Sequence, residues 1–380
     1  MLRAHHFPKV SDLWRWTPPG RTHAVQAFAA AVGMGGPLLV GVAAGQVQAG
    51  LAAAMGGLIL STTEPVGSTL REKVTSVALP VVICGGGLAI GFLLAPHGLW
   101  LTFGLPLLAA TVALLGGMSM PLAVASVQFI VLLTIAAGMG EHGGPLGGLL
   151  LLFLAGTVWT GGVLLALDWG LYSTGRAGSR AKPPPAAPKR KPTLRQLFRR
   201  WRGNLKTLAG WQYALRAGSC LSAAEALNWL WAGHHGYWIG VTVAVTLGRP
   251  LPAPPTRTLE RLIGTVLGVL LAGGLLGWGP SLWAIVALIA VMAAARPALR
   301  SANYVAYAAV MTPLVMLIID LGAEPSWDLL ADRLVATFAG CAIVLVLGYL
   351  AWFRYTGPES TGAGNSGSPA DPHPESGNTK

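Results

Sequence analysis

Long apolar runs, broken at short polar or proline-rich points, dominate residues 23–355. The run 23–60 exceeds one bilayer crossing of about 20 residues, and its weak point at 41–50 divides it into two helices. Arg71, Glu72 and Lys73 then mark a loop. Further apolar segments lie near 74–94, 99–117, 120–138 and 144–167, separated at Pro96, at Pro121 and at the Glu141 to Pro145 turn. Proline ends each run because it has no amide donor and clashes with the turn before it. After a long interruption the pattern resumes at 211–231, 237–247, 262–278, 282–295, 304–321 and 329–353. It predicts an all-α, polytopic transmembrane bundle of about twelve helices in two six-helix tandem repeats.

The interruptions define the organisation. Residues 1–22 are polar and basic, and the apolar run that follows lacks a small-residue cleavage site, so the first helix reads as retained. Residues 23–170 form the first six-helix half and 211–355 the second, and 356–380 read as a disordered Gly/Ser/Pro/Asn-rich tail. Between the halves, 171–210 is a basic linker. Within it Leu194, Leu197, Phe198, Trp201, Leu205 and Leu208 recur at helical spacing, with Thr193 placed to cap. That pattern describes an amphipathic helix on an anionic lipid surface, held by Arg195, Arg199, Arg200 and Arg202. A solvated basic linker is the competing reading.

Composition sharpens the picture. Charged residues make up 11% of the chain and hydrophobic ones 53%, with mean hydropathy +0.59, against about 25% charged in a soluble domain. The net charge of +12 would suit nucleic acid in a polar protein. Here the basic residues lie between apolar runs, where membrane orientation accounts for them, so nucleic acid is excluded. With both termini cytoplasmic in a bacterial-type inner membrane, only Arg333 of the 26 Lys and Arg residues falls on the outer side. Glu141, His142, His234, His235, Glu324 and Asp328 populate the outer loops. Cys84, Cys220 and Cys341 stand singly inside apolar runs and read as small buried hydrophobes, without metal-ligand spacing.

The halves resemble each other. Setting Arg71 on Arg257 aligns Gly87 and Gly91 with Gly273 and Gly277, and Pro96…Trp100 with Pro280…Trp283. Six helices per half means that both copies enter the membrane from one side, related by an axis along its normal, with a pathway expected between them.

Tyr237-Trp238 opening a helix, Thr242, Arg257, Arg261, Gly264-Thr265 with Gly268, Asn303-Tyr304 and Thr312-Pro313 resemble the fusaric acid resistance-like (FUSC) membrane transporters, which are related to aromatic acid exporters. The likeness is clearest over 211–321. It implies an inner-membrane efflux protein for small organic acids. Two features depart from the family pattern: Thr75 stands where the first half would carry its second arginine, and the long soluble domain of many relatives is replaced by the 172–206 linker.

The candidate chemistry follows from what an organic anion needs in a membrane, namely cations facing a wet path. Arg257, Arg261 and Arg216, at the expected cytoplasmic end, are substrate-binding candidates, with positive-inside anchoring as their ordinary alternative. Tyr237 and Trp238 can stack an aromatic substrate or belong to an interfacial belt with Trp229 and Trp231. Thr242 joins them through the family pattern. Glu225, ionisable in mid-run, is the proton-coupling candidate, against a plain interhelical hydrogen bond. Asp332 or Asp320 is expected to neutralise Arg333, and His234-His235 to form a solvated outer turn able to sense pH. Gly264 and Gly268 read as a close-packing pair. No ATP-binding loop, metal motif or serine elbow occurs, so the chain reads as no enzyme and as needing no cofactor. A gradient-driven exporter of small, aromatic organic acids is the leading reading. A membrane scaffold or an organic-anion channel is the alternative, and assembly into a homo-oligomer is open.

Overall fold

Helices account for all regular structure among the residues that the computed structural model describes: 16–17, 23–60, 70–140, 146–173, 193–231, 234–249, 254–319 and 327–355. The C-terminal tail, most of residues 1–22, the Gly/Pro-rich part of the linker, Glu141, His142, Asp320 and Glu324 lie outside them. In chain order the helices are α1 (His23–Ala43), α2 (Val47–Leu60), α3 (Leu70–Leu94), α4 (Gly98–Leu115), α5 (Met120–Gly140) and α6 (Leu146–Ser173). There follow α7 (Leu194–Asn204), α8 (Leu208–Leu230), α9 (Tyr237–Thr246), α10 (Pro254–Trp278), α11 (Leu282–Ala302), α12 (Tyr304–Ile319) and α13 (Trp327–Ile343). The last continues through a π-helical stretch, Val344–Tyr349, and a 3₁₀ stretch, Leu350–Tyr355.

Eight of these helices, α1, α3, α4, α5, α6, α10, α11 and α13, are long and apolar enough to cross a membrane. Helices α2, α9 and α12 are apolar but shorter. At about 1.5 Å per residue, the 10 residues of α9 reach only half-way through a hydrocarbon core of about 30 Å. Helix α8 has the length, 23 residues, but carries Arg216 and Glu225 inside it. Outward faces are apolar too: Val40, Val82, Trp100, Phe103, Leu151, Val158, Leu270 and Val291 are exposed. Apolar side chains both inside and outside describe a bundle whose solvent is lipid.

Packing pairs the helices in two equivalent sets. Helix α3 packs most extensively on α5, as α10 does on α12; α2 packs on α6, as α9 does on α13. The first helix of each half instead crosses to the other half, α1 onto α11 and α8 onto α4. Glycines make these approaches possible, because a Cβ would strike the partner backbone. A Cβ on Gly87 would lie 2.7 Å from the Phe129 carbonyl, and one on Gly91 would meet the Leu133 carbonyl. Likewise Gly264 and Gly268 face the carbonyls of Val305 and Ala309, each at 2.7 Å. The close-packing role expected of Gly264 and Gly268 therefore holds. The register expected between the halves does not: Gly87 and Gly91 correspond to Gly264 and Gly268, not to Gly273 and Gly277. Only the former pair faces a partner's carbonyls, whereas a Cβ on Gly273 would meet the Trp327 ring and one on Gly277 nothing.

Side-chain links identify the two ends of the bundle. Lys73 at the start of α3 pairs with Asp168 near the end of α6, and α7 rests against the end of α4 through Trp201. That end carries the basic loops and is called the basic end below. At the opposite end Asp332 of α13 meets His234 and His235, between α8 and α9.

Candidate functional site

A column of buried polar groups follows α13 through the second half. At adjacent residues α13 touches both neighbours: Gly340 lies against Thr242 and the Ile239 carbonyl of α9, and the Cys341 thiol donates to the Thr258 carbonyl of α10 (3.8 Å). These three helices carry a set of buried polar and aromatic residues: Trp238, Thr242 and Thr246 on α9, Thr258, Arg261 and Thr265 on α10, and Arg333 and Thr337 on α13. Some hydroxyls are satisfied within their own helix, as Thr246 donates to the Thr242 carbonyl (2.6 Å) and Thr337 to that of Arg333 (2.8 Å). Other polar atoms are not, among them Arg261 Nε and the hydroxyls of Thr242 and Thr265, which are buried without a hydrogen-bond partner among the described residues. Arg261, 5% exposed, sits within electrostatic reach of Tyr304 and Cys341. A buried polar atom lacking its hydrogen bond costs about 1–3 kcal/mol, more when charged. Such costs concentrate where a ligand or water is to be received.

At the opposite end the column is closed by an aromatic and ionic cap. The Arg333 guanidinium lies 3.7 Å from the centroid of the Trp238 ring, in cation–π contact. Tyr237 packs on Trp238 at 4.9 Å, and His235 on Tyr237 at 6.3 Å. Asp332 is held by the two histidines: Oδ1 at 3.0 Å from His234 Nδ1, and Oδ2 at 3.1 Å from His235 Nδ1 and 3.3 Å from the His235 amide. His234 stacks on Trp231 at 5.1 Å. One expectation is thereby corrected: His234 and His235 form an ordered clamp on Asp332, not a solvated turn. Arg333 lies on the Trp238 face, and Asp320, the other acid expected to neutralise it, lies outside the described residues. Tyr237 and Trp238 are buried, which removes them from an interfacial belt; Trp229, 75% exposed, fits one. Glu225 lies over Gly240, where a Cβ would be 3.7 Å from its Oε1 and 2.7 Å from Thr134 of α5. Its carboxylate thus lies near the place where α9 meets α5.

Three further arginines order the basic end. Arg216 is fully buried, its Nε donating to the Gly348 carbonyl (2.5 Å) and its Nη1 to the Arg249 carbonyl (3.2 Å). Gly348 belongs to the π-helical stretch, whose widened turn lets its carbonyl accept from outside the helix. Arg249 in turn donates from Nη2 to the Ala113 carbonyl (2.9 Å) and to Ser126 (3.1 Å), and lies 4.5 Å from the Tyr213 ring centroid. Burial pushes its pKa below the ordinary arginine value, opposed by Tyr213, and it stays a cation. Arg296 of α11 reaches across to the Leu58 carbonyl (3.0 Å) and to Met34 (3.6 Å). Arg249 and Arg296 each bind one half to the other. Arg257 is exposed at this end, 5.5 Å from the Tyr304 ring centroid.

Residues 220–347 match the family described as fusaric acid resistance protein-like. This segment is similar to fusaric acid resistance-like proteins. Over 132 residues the chain is 29% identical to inner membrane protein YccS of Escherichia coli (strain K12), a stretch that covers 35% of this chain and 18% of that protein. No solved structure matches the chain. The protein is a multi-pass membrane protein, and Glu225, Tyr237, Trp238, Thr242, Arg261, Thr265 and Arg333 all lie within the matched segment.

Of the three arginines expected to line one vestibule, the structure separates all three. Arg257 is at the surface, Arg261 faces the polar column, and Arg216 is committed to backbone carbonyls. The sequence pattern sets apart neither Thr265, which stands inside a glycine motif, nor Arg249 and Arg296. Thr265 follows Arg261 by four residues, which places both on one helical face. That spacing was the available signal.

Proposed function

We propose that the protein is a gradient-driven exporter of small organic anions, aromatic acids among them, with the α9/α10/α13 column as the route through its second half. The observation that supports this reading is Arg261: a residue 5% exposed whose Nε lacks a hydrogen-bond partner among the described residues, on helices that also carry two such hydroxyls, Thr242 and Thr265. A carboxylate is the ligand such a donor set fits, because it accepts from a guanidinium and from hydroxyls together. The short α9 and α2 support the same reading, since abbreviated helices at corresponding places in two repeats mark transporter binding sites. Arg257, on the surface beside the column's mouth, attracts the anion; Tyr237 and Trp238 provide the aromatic face, with Arg333 displaced from Trp238 as a ring enters. Glu225, near the place where α9 meets α5, carries the coupling proton. In this reading the protein sits in an inner membrane with the basic end, and both termini, in the cytoplasm.

Purified protein in liposomes tests the proposal. Uptake of an aromatic acid driven by an imposed proton gradient is expected, lost in Arg261→Gln, restored in part by Arg261→Lys, and uncoupled from the gradient in Glu225→Gln. Uptake that ignores the gradient in the unmodified protein makes it a channel. Absence of flux for every organic acid offered defeats the reading.

A further inference from the structure

The linker helix α7 is built onto the junction between the halves. Its start is fixed by a reciprocal cap: the Gln196 amide donates to the Thr193 hydroxyl (3.4 Å), and the Thr193 amide to Gln196 Oε1 (3.1 Å). Two of its apolar residues turn inward. Leu197 and Trp201 are half-buried, and Trp201 Nε1 donates to the Leu114 carbonyl in the last turn of α4 (3.0 Å). The preceding carbonyl, Ala113, is the one that Arg249 holds. Neighbouring carbonyls of one helix end are therefore occupied, one by the linker and one by a bridge between the halves.

The rest of α7 is unpartnered and has two characters. Leu194 and Phe198, one turn apart, are 81% and 50% exposed, and Arg195, Arg199, Arg200 and Arg202 are exposed around them. No acidic residue occurs in the helix. Its height is set by its neighbours: Trp201 sits on the end of α4, and Trp211 at the start of α8 donates to the Leu205 carbonyl just past α7 (2.8 Å). The helix thus lies level with the ends of the membrane-spanning helices, where acyl chains give way to headgroups. Apolar side chains pointing to acyl carbon and guanidiniums placed for phosphates are what that boundary accepts. We infer that α7 binds anionic phospholipid headgroups, and that the bound lipid steadies the Ala113–Arg249 bridge through Trp201. The inference stands apart from the transport reading and survives its failure.

The test uses the full chain carrying Leu194→Cys with an environment-sensitive fluorophore, since Cys84, Cys220 and Cys341 are buried. In nanodiscs of phosphatidylcholine with a rising fraction of phosphatidylglycerol, emission is expected to move to the blue, and salt to reverse the shift. Each of Arg195→Gln, Arg199→Gln and Arg202→Gln should weaken the lipid dependence about fivefold. Amide hydrogen exchange over 193–204 in unlabelled protein should slow with phosphatidylglycerol and in step with the label. Emission and exchange that stay the same at every lipid composition overturn the inference. So does a shift reproduced by glycerol phosphate in solution, which makes the site one for a soluble anion, or a shift that the glutamine variants keep.

Discussion

The two halves share a framework and differ in what fills it. Gly156 meets the Ala53 carbonyl as Gly340 meets that of Ile239, and the two glycine pairs on α3 and α10 meet partner carbonyls alike. Counting from these anchors, Trp238 corresponds to Ala52, Arg261 to Cys84, Thr265 to Leu88, Arg333 to Leu149 and Thr337 to Phe153. Every polar or bulky member of the second column has a smaller or apolar counterpart. Ala52, Leu88, Leu149 and Phe153 line an apolar cavity of about 50 Å³, so the place that holds the Arg333–Trp238 cap in one half is left partly unfilled in the other. The backbone arrangement does not require the charges. The first half shows that the corresponding helices close without the arginines that α10 and α13 carry.

That contrast can be broken first at its largest side chain. Trp238→Ala should cost about 3–5 kcal/mol, as for a buried tryptophan, read as loss of thermal stability in detergent; a cost no greater than that of a surface change would show the cap to be ornamental. Gly156→Ala and Gly340→Ala probe the shared anchors. Overpacking typically costs about 1–3 kcal/mol, and Gly156→Ala should be the worse of the two. Its Cβ would strike Ala53 backbone, whereas at Gly340 the closest atom is Thr242 Cβ at 2.8 Å. Arg249→Met keeps the alkyl stem and removes the charged bridge, with an expected cost of about 1–3 kcal/mol for the carbonyl and hydroxyl left behind. Equal stability of Arg249→Met and the parent would mean the halves hold together without it. The smallest effect is a gain: Ala52→Val should partly fill the first-half cavity and raise stability by about 0.5–1 kcal/mol, and a loss there would mean the cavity walls cannot give.

Much of the architecture was legible because lipid imposes it. Hydropathy alone places the apolar helices, eight of which are long and apolar enough to cross a membrane, and Thr193, Leu197 and Trp201 announce the capped linker helix that the structure contains. Register between the halves was not legible. Glycine pairs spaced by four recur on α3 and α10, and sequence likeness favoured Gly273 and Gly277 while packing uses Gly264 and Gly268. Pairing of ionisable groups was hidden for a related reason. Asp332 and Arg333 are neighbours in the chain, yet successive positions on a helix point about 100° apart, so Asp332 turns to the histidines and Arg333 to Trp238. The column itself was half visible, as Thr242 and Arg261 stand out but Thr265 gains meaning only from its depth.

The exchange of first helices bears on how the protein is made. Because α1 packs on α11 and α8 on α4, α1 is made well before the helix that it packs on. Until α11 has been made, the face of α1 that it covers is left to lipid. Either half made alone leaves these crossing faces of α1 and α8 without their partners.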